Sequence, residues 1–462
     1  MTNYLILGNG VAGLRAAEVI RRNDRNGKIT MLSHEPHPFY YRPQLADFVA
    51  GRVKEDSLFA RGQEFYEKQK IATLFGKRAK AVLPKKKEVV MEDGKKVDYD
   101  RLLLAPGCRF QLPSWAAGRP GVYTLKTLED AKQISKVAAK SEKALVVGEG
   151  LFGLEMARGL REKGLKVSYL LRGERFWPEV LDEVASGLVI SHLRSRGIEV
   201  LPNEEVKEIW ASNGKVQGVM SSKDRLILGQ LIGVGVDFRP DVEFLKESGI
   251  QLGKGILTDD HLRTNYPNIF GAGDAAQVFD AYRGEAILHF GWQSAWEQGA
   301  IAGSNMSGGD LTYSGRIPAL SIQIYGLDFL SLGEGNPQAP GYKGMTGDYP
   351  EMGIYKKLVL KEDRVVGALL LGSISEATPI EDLIRNRAEI SQVDKKLLMR
   401  VFDLHYWISS GLEVLCPVCK LNVKLSEKSK EGDLIACPIC GVEFKLSQMN
   451  GRFRAVNAGA KA

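Results

Sequence analysis

Cysteine is scarce in this sequence, with five among 462 residues. Four of the five lie at or beyond Cys416, so the rest of the chain has one thiol, Cys108. A disulfide-stapled fold is excluded, and a reducing compartment fits. Long apolar runs are also missing. None approaches the ~18 residues that read as a membrane span, so no span is expected. The first apolar run begins by Tyr4, which leaves no room for a leader ahead of it, and the expected location is the cytoplasm. Charge of one sign is not in great excess. A net charge of +7 is mild for this length, and nucleic acid is not the expected partner.

Glycine, by contrast, is placed with purpose. Gly8-Asn9-Gly10-Val11-Ala12-Gly13 follows the apolar run Tyr4-Leu5-Ile6-Leu7. Gly148-Glu149-Gly150-Leu151-Phe152-Gly153 follows Ala144-Leu145-Val146-Val147. Each has a strand before it and a helical pattern after it, which is the setting of a dinucleotide-binding loop. One such motif is a weak signal. Two in the right context predict two dinucleotides in one molecule, and a hydride passed between them. Glu35 ends the second strand of the first unit, where an acid suits the ribose hydroxyls of an adenine dinucleotide.

The length allows about three domains. The fold expected is α/β, with two nested Rossmann-like dinucleotide-binding domains, an α+β C-terminal interface domain and a small four-cysteine ribbon. The boundaries read as 1–109 with 236–314, then 110–235, 315–405 and 411–456. In the first unit, strand 4–7, helix 12–22 and strand 28–32 are expected. Strand 143–147, helix 152–163 and strand 166–171 repeat that order in the second.

These motifs, with Leu102-Leu103-Leu104-Ala105-Pro106-Gly107 and Phe270-Gly271-Ala272-Gly273-Asp274, resemble the FAD-dependent pyridine nucleotide oxidoreductases. Pro38 to Leu45, Trp292-Gln293-Ser294-Ala295, Gly299 and Asn305-Met306 narrow the resemblance to the branch of NADH:rubredoxin, nitrite and ferredoxin reductases. The resemblance covers about residues 1–400. It implies FAD at Gly8, Gly10, Val11, Ala12 and Gly13, with Glu35 on the ribose. Arg42, Ala105, Gly107, Gly273 and Asp274 are further contacts, and Trp292 and Gln293 lie near the isoalloxazine. It implies a nicotinamide cofactor at Gly148, Gly150, Phe152 and Gly153, approached closely through Gly235, with Glu155 by the hydride site. It implies a protein electron carrier of rubredoxin or ferredoxin type as acceptor. An FAD-bearing subunit or scaffold of a larger redox complex is the alternative, and a homodimer is left open.

Several departures from the family pattern matter. Pro106 stands where threonine is usual, and proline removes a donor. Asp47 stands where ferredoxin reductases often carry a lysine that pairs with the glutamate matching Glu155. Two acids there would repel, so Asp47 is expected to turn away or the hydride site to differ. Pro38 to Val49 lacks the redox cysteines of disulfide-reducing relatives, and Cys108 reads as a packed, inert thiol. At the end of strand 166–171, Leu171 stands where NAD enzymes carry an acid, and Arg172 follows, able to fork onto a 2′-phosphate. The balance tilts to NADPH over NADH.

The four remaining cysteines, Cys416, Cys419, Cys437 and Cys440, are spaced C-x2-C-x17-C-x2-C. Two such knuckles supply four thiolates for one tetrahedral metal. Zinc is expected, with iron as the alternative. Rubredoxins surround their iron with aromatics, and this module has only Phe444 and Phe453.

Overall fold

The computed structural model describes residues 1–235, 238–280, 284–349, 352–389, 413–418, 422–426, 428–437, 441–449 and 452–457. Its first sheet has five parallel strands in the order Ile269–Gly271, Arg101–Leu104, Asn3–Leu7, Lys28–Ser33, Ile71–Phe75. The second is also parallel, in the order Ile198–Leu201, Lys166–Leu170, Lys143–Val147, Leu231–Val234, Val122–Tyr123. The central strands, Asn3–Leu7 and Arg101–Leu104 in the first sheet and Lys143–Val147 and Leu231–Val234 in the second, are buried on both faces, which fits their apolar sequences. In each, the strand before the glycine loop is central. Its neighbours lie on opposite sides, so the loop opens at a topological switch point, where ligands of such sheets bind.

Helices Val11–Asn23 and Leu151–Glu162 leave the two loops. Helix Trp292–Met306 packs along the first of them. The approach is backbone to backbone: a Cβ on Gly299 would meet the Ala12 carbonyl oxygen at 2.4 Å, and one on Gly303 the Ala16 carbonyl oxygen at 2.7 Å. These glycines set the start of the Trp292 helix beside the first glycine loop.

A three-stranded antiparallel meander, Ala79–Leu83, Glu88–Met91 and Lys96–Asp98, flanks the first sheet. The third large sheet is antiparallel over residues 319–371, in the order Ala319–Ile324, Leu327–Gly333, Arg364–Leu371, Ile354–Lys361, Tyr342–Tyr349. Helix Ala377–Arg385 covers it. Last come a two-stranded ribbon, Glu413–Leu415 with Asn422–Lys424, and a three-stranded one, Leu434–Ala436, Glu443–Met449 and Arg452–Asn457. No helix among the described residues is long and apolar enough to cross a membrane.

Candidate functional site

One cavity of about 1880 Å³ runs past both glycine loops. It is lined in its first part by Gly8, Gly10, Val11, Ala12, Glu35, Arg42, Ala105, Gly107, Gly273, Asp274, Trp292 and Gln293. Its second part is lined by Gly148, Gly150, Phe152, Glu155, Arg172 and Gly235. Gly13 and Gly153 are not on the wall, and their role is packing. A Cβ on Gly13 would fall 1.9 Å from the Gly8 carbonyl oxygen, and one on Gly153 2.5 Å from the Tyr169 hydroxyl. Gly235 faces the cavity, yet its back is against the chain: a Cβ there would meet the Gly153 nitrogen at 2.1 Å.

Gly10 is the informative glycine of the first loop. No protein atom lies within 4 Å of a Cβ built on it. Its backbone φ of −93° requires no glycine either. The space in front of it is therefore room for a ligand against bare backbone at a helix N-terminus, the setting for a pyrophosphate. FAD fits this cradle. In the second loop the equivalent space is narrower, because the Trp177 indole lies 3.6 Å from a Cβ on Gly150.

Glu35 is buried at 7% exposure and held from two sides. The Tyr40 hydroxyl donates to its Oε2 at 2.5 Å, and Arg42 bonds its other oxygen. Burial pushes this carboxyl up, but Arg42 and Tyr40 outweigh it and the net shift is downward. It remains an acceptor-only anion at the cavity wall. Asp274 accepts from the Gly291 N–H at 3.1 Å, and burial pushes its carboxyl up. The turn that carries it is fixed by Gln298, which accepts from the Gly273 N–H at 2.7 Å. Lys126 is a further cation on the wall, near Arg42; burial lowers its pKa. Neither Gln298 nor Lys126 carries a motif that would have marked it in the sequence. The Cys108 thiol is buried, 3.5 Å from the Asp274 carbonyl oxygen, and burial with Asp274 nearby pushes its pKa up. That disfavours the reactive thiolate.

Of the two outcomes expected at Asp47, turning away is the one the structure does not show. Arg158 takes both acids: it donates to Asp47 Oδ1 at 2.6 Å and to Glu155 Oε2 at 2.7 Å, with Glu162 at 3.3 Å. Arg52 closes the group on Glu162 at 2.9 Å. The cation expected from the Asp47 position is thus supplied by the Glu155 helix, one turn along. Contact between the two helices depends on Gly159, where a Cβ would come 2.9 Å from the Ala46 carbonyl oxygen.

At the exit of strand Lys166–Leu170, Arg172 is mostly exposed and faces Glu149 at 3.5 Å. Glu149 also accepts from the Gly173 N–H at 2.9 Å. An acid therefore does reach this strand end, from the glycine loop rather than from the strand. Spacing along the strand could not show it.

Cys416 and Cys437 are buried in the core of the C-terminal ribbons with Val418, Val442 and Phe444. Cys419 and Cys440 lie outside the described residues. Tyr41 and Trp292 pack against that core, and Pro417 and Val418 reach the cavity wall.

With this geometry in view, the relatives can be placed. The model of the pyridine nucleotide-disulphide oxidoreductase family matches residues 2–299. The chain belongs to that family. Residues 318–388 match the rubredoxin NAD+ reductase C-terminal domain. Among curated relatives, the nitrite reductase [NAD(P)H] of Bacillus subtilis is 29% identical over 394 residues, covering 85% of this chain and 48% of its own. The assimilatory nitrate reductase electron transfer subunit of the same organism is similarly matched, so the chain spans about half the length of these two relatives. The NADH-rubredoxin oxidoreductase of Clostridium acetobutylicum is 26% identical, covering 83% of this chain and 94% of its own. The covalent putidaredoxin reductase-putidaredoxin complex has the same fold, at a TM-score of 0.80 and 24% identity, covering 88% of this chain and 98% of that one. The family places FAD and a nicotinamide dinucleotide in this fold.

Proposed function

We propose that this protein oxidises NAD(P)H through FAD and reduces a protein electron carrier of rubredoxin or ferredoxin type. The observation that carries it is the continuous cavity joining two glycine loops, with open space before Gly10. For a one-electron carrier the reaction balances as NAD(P)H plus two oxidised carriers giving NAD(P)+, a proton and two reduced carriers. When bound, FAD supplies the conversion of one hydride into two single electrons.

In this reading residues 1–109 and 236–314 hold FAD, and 110–235 hold the nicotinamide cofactor. Residues 315–405 form the interface domain, and 411–456 the metal ribbon. Gly8, Gly10 and the helix that follows take the pyrophosphate. Glu35 accepts from the ribose, and Asp274 holds the linker between ring and phosphates. Trp292 and Gln293 wall the ring. Glu155, fixed by Arg158, orients the nicotinamide. Cys416, Cys419, Cys437 and Cys440 hold one structural metal, zinc by the scarcity of aromatics around it, with iron the alternative. Reduced thiolates suit a cytoplasmic setting.

Anaerobic titration with NADH and NADPH, then rubredoxins and ferredoxins, tests the reading, with elemental analysis alongside. Gly10→Val should yield colourless protein. Full FAD occupancy in that variant removes the first loop from the assignment. Failure of both nucleotides to bleach the flavin removes the donor.

A further inference from the structure

The C-terminal module does not stand apart from the catalytic body. Its apolar core leans on Tyr41 and Trp292. Gly441 lies directly against Trp296: a Cβ on it would fall 2.1 Å from that ring. Trp296 is itself stacked by Arg15, whose guanidinium carbon sits 4.4 Å from the ring centroid. Tyr41, Trp292 and Phe39 form one aromatic wall, with Trp292 5.9 Å from Tyr41 and 5.7 Å from Phe39 between centroids. From the first knuckle, Pro417 and Val418 reach the same cavity as Gly10 and Gln293.

These aromatic supports all belong to the FAD-side unit. The nicotinamide wall, around Gly150, Phe152 and Glu155, belongs to the other. The module therefore sits where it would obstruct a carrier that approaches Trp292, on a wall distinct from the donor's. It also has its own apolar core, from Val414 to Leu446. Lifting it would uncover the aromatic wall without dismantling that core.

We propose that the four-cysteine module is a removable cap seated on Trp296, and that an electron carrier docks on the neighbouring Tyr41–Trp292 wall once the module lifts. The inference rests on the proposed electron-carrier reductase function. If only a small fraction of molecules is open, apparent affinity for the carrier is reduced by that fraction. Loosening the seat raises that affinity and leaves reduction of the flavin by NAD(P)H unchanged.

The test uses the whole chain, FAD-loaded, with Trp296→Ala, which removes the seat, and Gly441→Ala, whose Cβ pushes the module off it. Hydrogen exchange over residues 292–296 reports lifting. Calorimetry with oxidised rubredoxin and with a ferredoxin reports affinity. A variant that raises exchange should bind at least one carrier more tightly, by at least about threefold, with an unchanged rate of flavin bleaching by NAD(P)H. Unchanged affinity for both carriers overturns the cap. So does weaker binding, which would make the module part of the docking surface. If neither variant raises exchange, the module is a fixed part of the wall and the proposal fails. Parent protein whose flavin no nucleotide reduces marks instead a failure of the underlying function.

Discussion

Arg158 meets three carboxylates at the junction of two helices, and Arg52 shares two of them, Asp47 and Glu162. The Arg158 side chain is 10% exposed, and its removal leaves Asp47, Glu155 and Glu162 together with only Arg52, on Asp47 and Glu162, to offset them. Arg158→Leu should cost about 2–3 kcal/mol in urea unfolding and slow flavin reduction by NAD(P)H. Arg158→Lys keeps the charge but loses the fork, and should recover part of both. Equal stability of the leucine variant would show that solvent already screens the group. The nucleotide preference is a second matter of single residues. Arg172 faces Glu149, so its charge is already partly matched. Glu149→Gln should shift preference towards NADPH, and Arg172→Glu towards NADH, read as the ratio of kcat/KM for the two nucleotides. If neither ratio moves, the strand exit does not set the preference. Cys108→Ser should retain near-normal flavin reduction, because its buried thiol is held protonated.

Among the elements, helix Glu183–Ser195 shows how the second unit is tied to the third sheet. Its N-cap Asp182 accepts from the Ala185 N–H at 3.0 Å, and also from Tyr355 at 2.6 Å and Lys357 at 2.9 Å. Burial raises this carboxyl, but those three donors prevail and hold it below its ordinary 3.8. A carboxyl with a depressed folded pKa contributes stability above its unfolded pKa, and the contribution is lost as pH falls through the folded one. Asp182→Ala should therefore cost about 1–2 kcal/mol near neutrality, and the gap from the parent should close under acid. A gap that stays constant to low pH would deny the charge any part. Elements of this kind divide the legible from the hidden. The two glycine-loop helices, expected over 12–22 and 152–163, are observed over Val11–Asn23 and Leu151–Glu162, because strand, glycine turn and apolar period agree there. Helix Leu128–Ala138 carried a readable capping box at Thr127 and Asp130 but no glycine motif to draw attention to it. The role of Gly299 and Gly303 was not legible, since only the fold brings them against Ala12 and Ala16.

For the whole molecule, the cavity between the units makes ligands part of the architecture. Stripping FAD should lower stability by RT ln(1 + [L]/Kd), about 4 kcal/mol at a thousandfold excess over Kd. Calorimetry of apo and holo protein should place that loss mainly in the first unit; an identical thermogram would deny FAD this role. The order of strands has a consequence of another kind, in time rather than in energy. Strand Ile269–Gly271 closes the first sheet beside Arg101–Leu104 only after every strand of the second sheet has been synthesised. Folding during translation thus meets the two units out of register with their numbering. The second sheet can finish while the first still shows the open side of Arg101–Leu104 to the cell, and that waiting edge is where a slowed ribosome, a chaperone or a neighbouring chain would find this protein most exposed.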